Sequence, residues 1–179
     1  RWTRPYRVEY PHCRLEIVPI QQEDFTGERR ILHTPAGSLE ALYQSEPAYG
    51  SFAARSRFVR ELADYDILDA YLADAQVIYD TALLEKDLAE LGEDGIPMSP
   101  VQRTPWQQLW VEWVDIADLA WHMAEDEERV LRTMELMARI QRRIFDCVSK
   151  ADLVYVDIPD NITAPMISPA HFRRFCLPC

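Results

Sequence analysis

The chain has 179 residues, 48% of them hydrophobic and 11% aromatic, with a formal net charge of −11. That is enough apolar material for one ordinary core and excludes a disordered protein, while the acidic excess excludes a general affinity for nucleic acid or anionic membrane, both of which need a basic surface. No apolar run approaches the roughly 20 residues that span a bilayer and no signal-type segment opens the sequence, so the expected setting is cytoplasmic, without membrane or nucleic-acid partners.

The first part of the sequence predicts a small antiparallel sheet, a β-meander over residues 1–48. Leu15 to Ile20 alternates, Phe25-Thr26-Gly27-Glu28 supplies a turn, and Arg30 to His33 and Ser38 to Tyr43 form the next two strands. Between these lies Thr34-Pro35-Ala36-Gly37, whose proline and glycine suit a hairpin turn better than a binding loop. From Tyr49 to Leu91 the pattern turns helical. Phe58, Leu62, Tyr65 and Leu68 recur at spacings of three and four, and Asp64 and Asp66 stand where a helix would begin. Val77 to Leu91 continues with Ile78, Leu83, Leu84, Leu88 and Leu91 on an apolar side and Glu85, Lys86, Asp87 and Glu90 on a solvated one, closed by Gly92 and Gly95.

Ile96 to Val101 is a short strand leading to Thr104-Pro105, a capping residue followed by proline at the first helical position. The helix after it carries Trp106, Leu109, Trp110 and Trp113, aromatics whose spacing favours a core role; Trp110 is the exception to watch, as a substrate-facing ring. A short helix over Asp115 to Ala124 and a long one over Asp126 to Lys150 follow. The long helix aligns Val130, Met134, Met137, Gln141, Ile144 and Val148 into a stripe that needs a sheet to cover. A buried strand over Leu153 to Ile158 comes next, and strand, helices and strand in this order are the βαβ pattern of a parallel sheet.

The richest polar stretch runs from Asp152 to Cys179. Asp160 and Asn161 follow the C-terminal end of the expected strand, which in an α/β barrel is the active-site face. They are the candidate catalytic pair, against the plainer reading of a turn whose side chains bond to nearby backbone. Alternation places Asp157 on the strand face shared by Leu153 and Tyr155, making it a candidate substrate-binding carboxylate. Ser168-Pro169 starts another helix. Cys13, Cys147, Cys176 and Cys179 do not make a metal framework: Cys176-x-x-Cys179 is a lone pair with no second pair beside it.

Three motifs, in sequence order, carry a resemblance: His33-Thr34-Pro35-Ala36-Gly37-Ser38-Leu39, the helix start from Thr104-Pro105 through Gln107 and Leu109 to Glu112, and Asp160-Asn161 through Ile167-Ser168-Pro169 to Phe172, Phe175 and Pro178. Through these the protein resembles the uroporphyrinogen decarboxylase family, which also contains corrinoid-dependent methyltransferases. The resemblance implies a (β/α)8 barrel, here a partial one preceded by the antiparallel meander, because such barrels need about 250 residues. It departs from the family at Asp115, where a glycine is usual, and in lacking both the basic N-terminal segment and the His-x-Cys zinc motif.

What the resemblance implies for function is removal of carboxylate from a porphyrinogen-type tetrapyrrole, a lyase reaction that needs proton delivery and charge stabilisation and no cofactor. Asp160 and Asn161 would act in the barrel mouth, with Asp157 and Trp110 against the substrate. The alternatives are corrinoid-dependent methyl transfer, with zinc held by residues beyond this sequence, and non-catalytic binding of a tetrapyrrole or similar small ligand. Strand edges left unpaired in a partial barrel predict poor solubility or a homodimer.

Overall fold

A computed structural model describes residues 1–22, 24–163 and 167–178, a mixed α/β protein divided into two compact units. One unit comprises residues 10–74 and 109–133, the other residues 1–9, 75–108 and 134–179.

The first of these is built on the expected meander, extended by a strand. β2 (Arg14–Gln21), β3 (Thr26–Thr34), β4 (Gly37–Glu46) and β5 (Ser51–Ser56) form one antiparallel sheet in that order, while β1 (Tyr6–Glu9) belongs to the other unit. Pro19 is tolerated in β2 because that strand lies at the sheet edge. The central strands supply the core, with Leu32, Leu39, Ala41 and Tyr43 buried and the β4 trio alternating inward as the pleat requires. α1 (Asp64–Asp74) packs on β3 and β4 and buries Tyr65, Leu68 and Leu72.

The Thr34–Gly37 hairpin is present. Thr34 Oγ1 accepts from Ala36 N at 3.1 Å and donates to Gly37 O at 3.1 Å, and Gly37 takes φ 141°, a conformation that a side chain would strain. Gly27 is different from its expected turn role. It sits inside β3, where a Cβ would lie 2.0 Å from Tyr43 O, so glycine is required there by close approach of two backbones. The turn itself is made by Gln22 and Phe25, which exchange backbone hydrogen bonds at 2.8 and 3.3 Å.

Two stretches expected to be helical are strands. Ser51–Ser56 pairs with β4 despite its short side chains, because backbone pairing completes the edge of the sheet. β6 (Gln76–Tyr79) pairs antiparallel with β1, and α2 (Ala82–Leu91) begins only after Asp80, which accepts from Ala82 N at 3.1 Å. The apolar side expected for α2 is also corrected. Leu84 is buried, but Leu83 and Leu88 are exposed, and Asp87, expected in solvent, is 2% exposed and ion-paired with Arg1 at 2.8 Å. Gly92 closes the helix as expected, with φ 54° and its N–H on Leu88 O.

β7 (Met98–Pro100) and β8 (Tyr155–Asp157) are parallel neighbours, in agreement with the βαβ reading, and Trp2 adds a parallel bridge at Met98 of β7. The elements between them are α3 (Pro105–Gln108), a π-helical turn over Leu109–Trp113, α4 (Ile116–Glu125) and α5 (Glu127–Val148). Asp115 caps α4 in an extended conformation, φ −63°, by accepting from Ala117 N, a conformation that needs no glycine. The α5 stripe is buried as read, from Val130 through Met137 and Gln141 to Ile144 and Val148.

The strand expected over Leu153–Ile158, buried on both faces, is not found in that form. β8 is three residues long, Val154 is 76% exposed, and Tyr155 and Ile158 are about half exposed, because β7 is its one strand neighbour and no layer covers its outer faces among the described residues. No helix among those residues is long and apolar enough to cross a membrane.

Candidate functional site

The polar groups at the C-terminal ends of β7 and β8 are drawn together across the two strands. Val101 N donates to Asp157 O at 2.9 Å, extending the pairing one residue beyond β7. The backbone then turns into α3 at Thr104, while the segment leaving β8 reaches Asp160. Both carboxylate oxygens of Asp160 are used: Thr104 N donates to Oδ1 at 3.0 Å and Thr104 Oγ1 to Oδ2 at 2.7 Å. The hydroxyl expected to cap α3 is thus committed to Asp160 instead.

A hydroxyl has one hydrogen to give. At 2.7 Å Asp160 is the closer acceptor, and Cys176 Sγ, 3.5 Å from Thr104 Oγ1, is the more distant acceptor of the same hydroxyl. Burial pushes the pKa of the Cys176 thiol up, the hydrogen bond from Thr104 pulls it down, and the charge of Asp160 pushes it up again, with a net rise. Cys176 is placed by a second π-helical turn, Phe172–Cys176, whose Phe175 ring stacks on Trp106 of α3 at 4.8 Å and 13°. The helix start before it, α6 (Pro169–His171), is capped as expected, Ser168 accepting from His171 N at 3.2 Å. Cys179, the other half of the Cys176-x-x-Cys179 pair, lies outside the described residues.

Asn161 is held by its backbone. Gln107, fully buried on α3, donates from Nε2 to Asn161 O at 3.2 Å and accepts at Oε1 from Asn161 N at 3.3 Å. Asn161 itself stands exposed. Asp160 and Asn161 are therefore brought together beside α3, with Asp157 half-buried on β8 a few residues before them. Trp110 falls in the π-helical turn of the other unit, half-buried, with an indole N–H that has no acceptor among the described residues.

Asp160 and Asn161 stand out in the sequence, but the groups that hold them do not. Thr104 and Gln107 are visible there only as a cap and a motif position, and Cys176 as half of a weak pair. Their partnership with residues more than fifty positions away has no local signature. A carboxylate offers about four acceptor sites, so two hydrogen bonds from Thr104 leave Asp160 able to take N–H or O–H donors from a ligand.

No group of three or more His, Cys, Asp or Glu side chains among the described residues converges on a point that could hold a metal ion. The zinc implied by methyl transfer thus has no ligand set among these residues. Searches against protein-family models, curated proteins and solved structures return no match to this sequence.

Proposed function

We propose that the protein is a lyase of the uroporphyrinogen decarboxylase kind, which removes carboxylate from a porphyrinogen-type tetrapyrrole, with β7 and β8 as neighbouring strands of a (β/α)8 barrel. One observation carries this reading. Asp160 is fixed at the C-terminal ends of two parallel strands, where barrel enzymes keep their chemistry, and it retains acceptor capacity. Support from the sequence comes from the three ordered motifs described above.

In the proposed reaction the pyrrole ring bearing the departing carboxymethyl group is protonated at ring carbon and becomes cationic. The bond between the exocyclic carbon and its carboxylate then breaks, the electron pair enters the ring system, and CO2 leaves. Protonation of the exocyclic carbon and loss of the ring proton complete the exchange. Asp160 accepts the pyrrole N–H and faces the cation with fixed negative charge, a stabilisation that needs no reorganisation because Thr104 already holds the carboxylate. Asn161 offers an exposed amide to a substrate carboxylate. Asp157, in the same unit as Asp160, is the proposed substrate contact.

The test is turnover of chemically reduced uroporphyrin, followed by mass spectrometry for loss of CO2. Asp160→Asn keeps the shape and removes the charge, and is expected to abolish product. Thr104→Val loosens the carboxylate but keeps it, and is expected to retain measurable turnover. Full activity in Asp160→Asn would remove Asp160 from the chemistry. Tight porphyrin binding by the parent protein without product would replace catalysis by binding.

A further inference from the structure

The unit built on the antiparallel sheet contains a cleft of about 540 Å³ that is unrelated to Asp160. Its volume is that of a small-molecule site. Its walls are aromatic. Phe58 and Tyr71 each meet the Trp113 ring, at 5.4 and 5.5 Å between centroids, and Phe52 stands half exposed at the cleft from edge strand β5. Trp113 comes from the π-helical turn, closed by Val114 N on Leu109 O at 2.8 Å, and such turns are found frequently at functional sites. Val59 N holds the same turn by donating to Trp113 O at 3.0 Å.

Two cations reach this cleft and they are not equivalent. Arg30 is occupied: its guanidinium pairs with Glu28 and lies 3.9 Å over the Tyr43 ring. Arg57 is half-buried, and its guanidinium has neither a hydrogen-bond nor an ion-pair partner among the described residues. Asp115 and Asp118 line an adjoining cavity with Arg57, yet neither comes within ion-pairing distance of it. The Trp113 indole N–H is buried and has no acceptor among those residues. The Arg57 guanidinium is therefore a cation that an acceptor in the cleft can pair with. The aromatic walls beside it define what that acceptor is attached to.

We infer that this cleft binds a small planar aromatic carboxylate, its ring against the wall formed by Phe58, Tyr71 and Trp113 and its carboxylate on Arg57. Glu112 on the cleft wall sets a limit, since a second anionic group on the ligand would meet it. The ligand class is therefore an aromatic monocarboxylate. The fork of Arg57 fits a carboxylate with two parallel hydrogen bonds, a geometry that lysine cannot reproduce.

The probe is 2-naphthoate, titrated into the whole protein by calorimetry beside its neutral amide, 2-naphthamide, and beside acetate. Naphthoate is expected to bind at least about tenfold tighter than either, because loss of a charge-assisted pair or of ring burial each removes that much affinity. Arg57→Gln is expected to weaken naphthoate about tenfold or more and to leave naphthamide unchanged, with Arg57→Lys between parent and Gln. In the parent, the Trp113 indole N–H resonance shifts on naphthoate addition, and Asp160→Asn leaves naphthoate affinity unaltered. The inference is overturned if naphthoate does not bind below about 1 mM, a floor no useful site falls under. It is equally overturned if naphthoate and naphthamide bind alike, if acetate matches naphthoate, or if a folded Arg57→Gln protein binds as the parent does.

Discussion

Thr104→Val isolates the clasp between α3 and the segment after β8. Valine keeps the shape of threonine in a site that is 6% exposed, so the substitution removes a hydroxyl and leaves no cavity. What is lost is the 2.7 Å O–H···O bond to a carboxylate and the longer contact from the same hydroxyl to Cys176 Sγ; the backbone N–H of Thr104 stays on Asp160. A hydrogen bond to a charged group contributes about 1.5–3 kcal/mol, and because Asp160 is only half-buried and can recruit water, about 2 kcal/mol is expected. With a urea slope of about 2 kcal/mol/M, the unfolding midpoint falls by about 1 M with no change in slope. The double variant Thr104→Val/Asp160→Asn should be less destabilised than the sum of the singles by about 1 kcal/mol or more, since the two groups share one interaction. Additive effects, or a midpoint shift under about 0.2 M in the single variant, would refute the clasp as a source of stability.

Three further outcomes follow from other parts of the fold. Gly27→Ala forces a Cβ to within 2.0 Å of Tyr43 O, so β3 must move off β4, and thermal denaturation should show a loss of about 3 kcal/mol or more. Cys13 is buried, and that burial, together with the hydrogen bond and charge of Asp74, pushes its thiol up to about 11. At pH 8 only about one molecule in a thousand then carries the reactive thiolate, so iodoacetamide should label Cys13 at least about a hundredfold more slowly than a free thiol; equal rates would refute the packing of that corner. Burial works to raise the Asp74 carboxyl, but the side-chain and backbone hydrogen bonds from His12 and Cys13 outweigh it and hold the group below its ordinary value. A depressed folded-state value contributes stability above the ordinary carboxylate range and loses it as pH falls through the depressed value. Melting temperature should therefore fall less steeply below about pH 4 in Asp74→Asn than in the parent, and identical acid limbs would refute the assignment.

Where order comes from short-range chemistry, it is readable. The Thr34–Gly37 hairpin, the Ser168 cap and the α5 stripe each depend on residues within a turn or on a helical period, and each is present. Where a segment's state is decided by a distant partner, reading fails. Gln76–Tyr79 has an apolar run that continues into α2, and only β1, some seventy residues earlier, makes it a strand. Asp87 has the pattern of a solvated helix position, and only Arg1 beside it makes burial possible. The same limit governs the candidate site: Asp160 is legible from its place after a strand, but Gln107 and Cys176, which complete its surroundings, are tied to it only by the closing of the fold. Arg57 has no motif at all. It is distinguished by the absence of an acceptor among the described residues, a property of three-dimensional packing.

The clasp at Asp160 also bears on why a carboxylate stands there. Two segments more than fifty residues apart could be joined at least as firmly by apolar side chains, because an ionised group surrenders solvation when it is brought into a protein. The hydroxyl of Thr104 would be unnecessary in such a joint, while the amide of Gln107, which serves the Asn161 backbone, would remain. A carboxylate does one thing that an apolar pair cannot: after two hydrogen bonds it still accepts others and still carries its charge. Stability alone does not account for that choice; under the function proposed above, the carboxylate serves to bind an N–H donor and to face a cation. Asp160→Leu with Thr104→Val is the corresponding experiment, expected to leave a folded protein, less stable by the lost acceptor of the Thr104 N–H, that has lost any activity or ligand binding at this end of β7 and β8; retained activity would refute the role of the carboxylate.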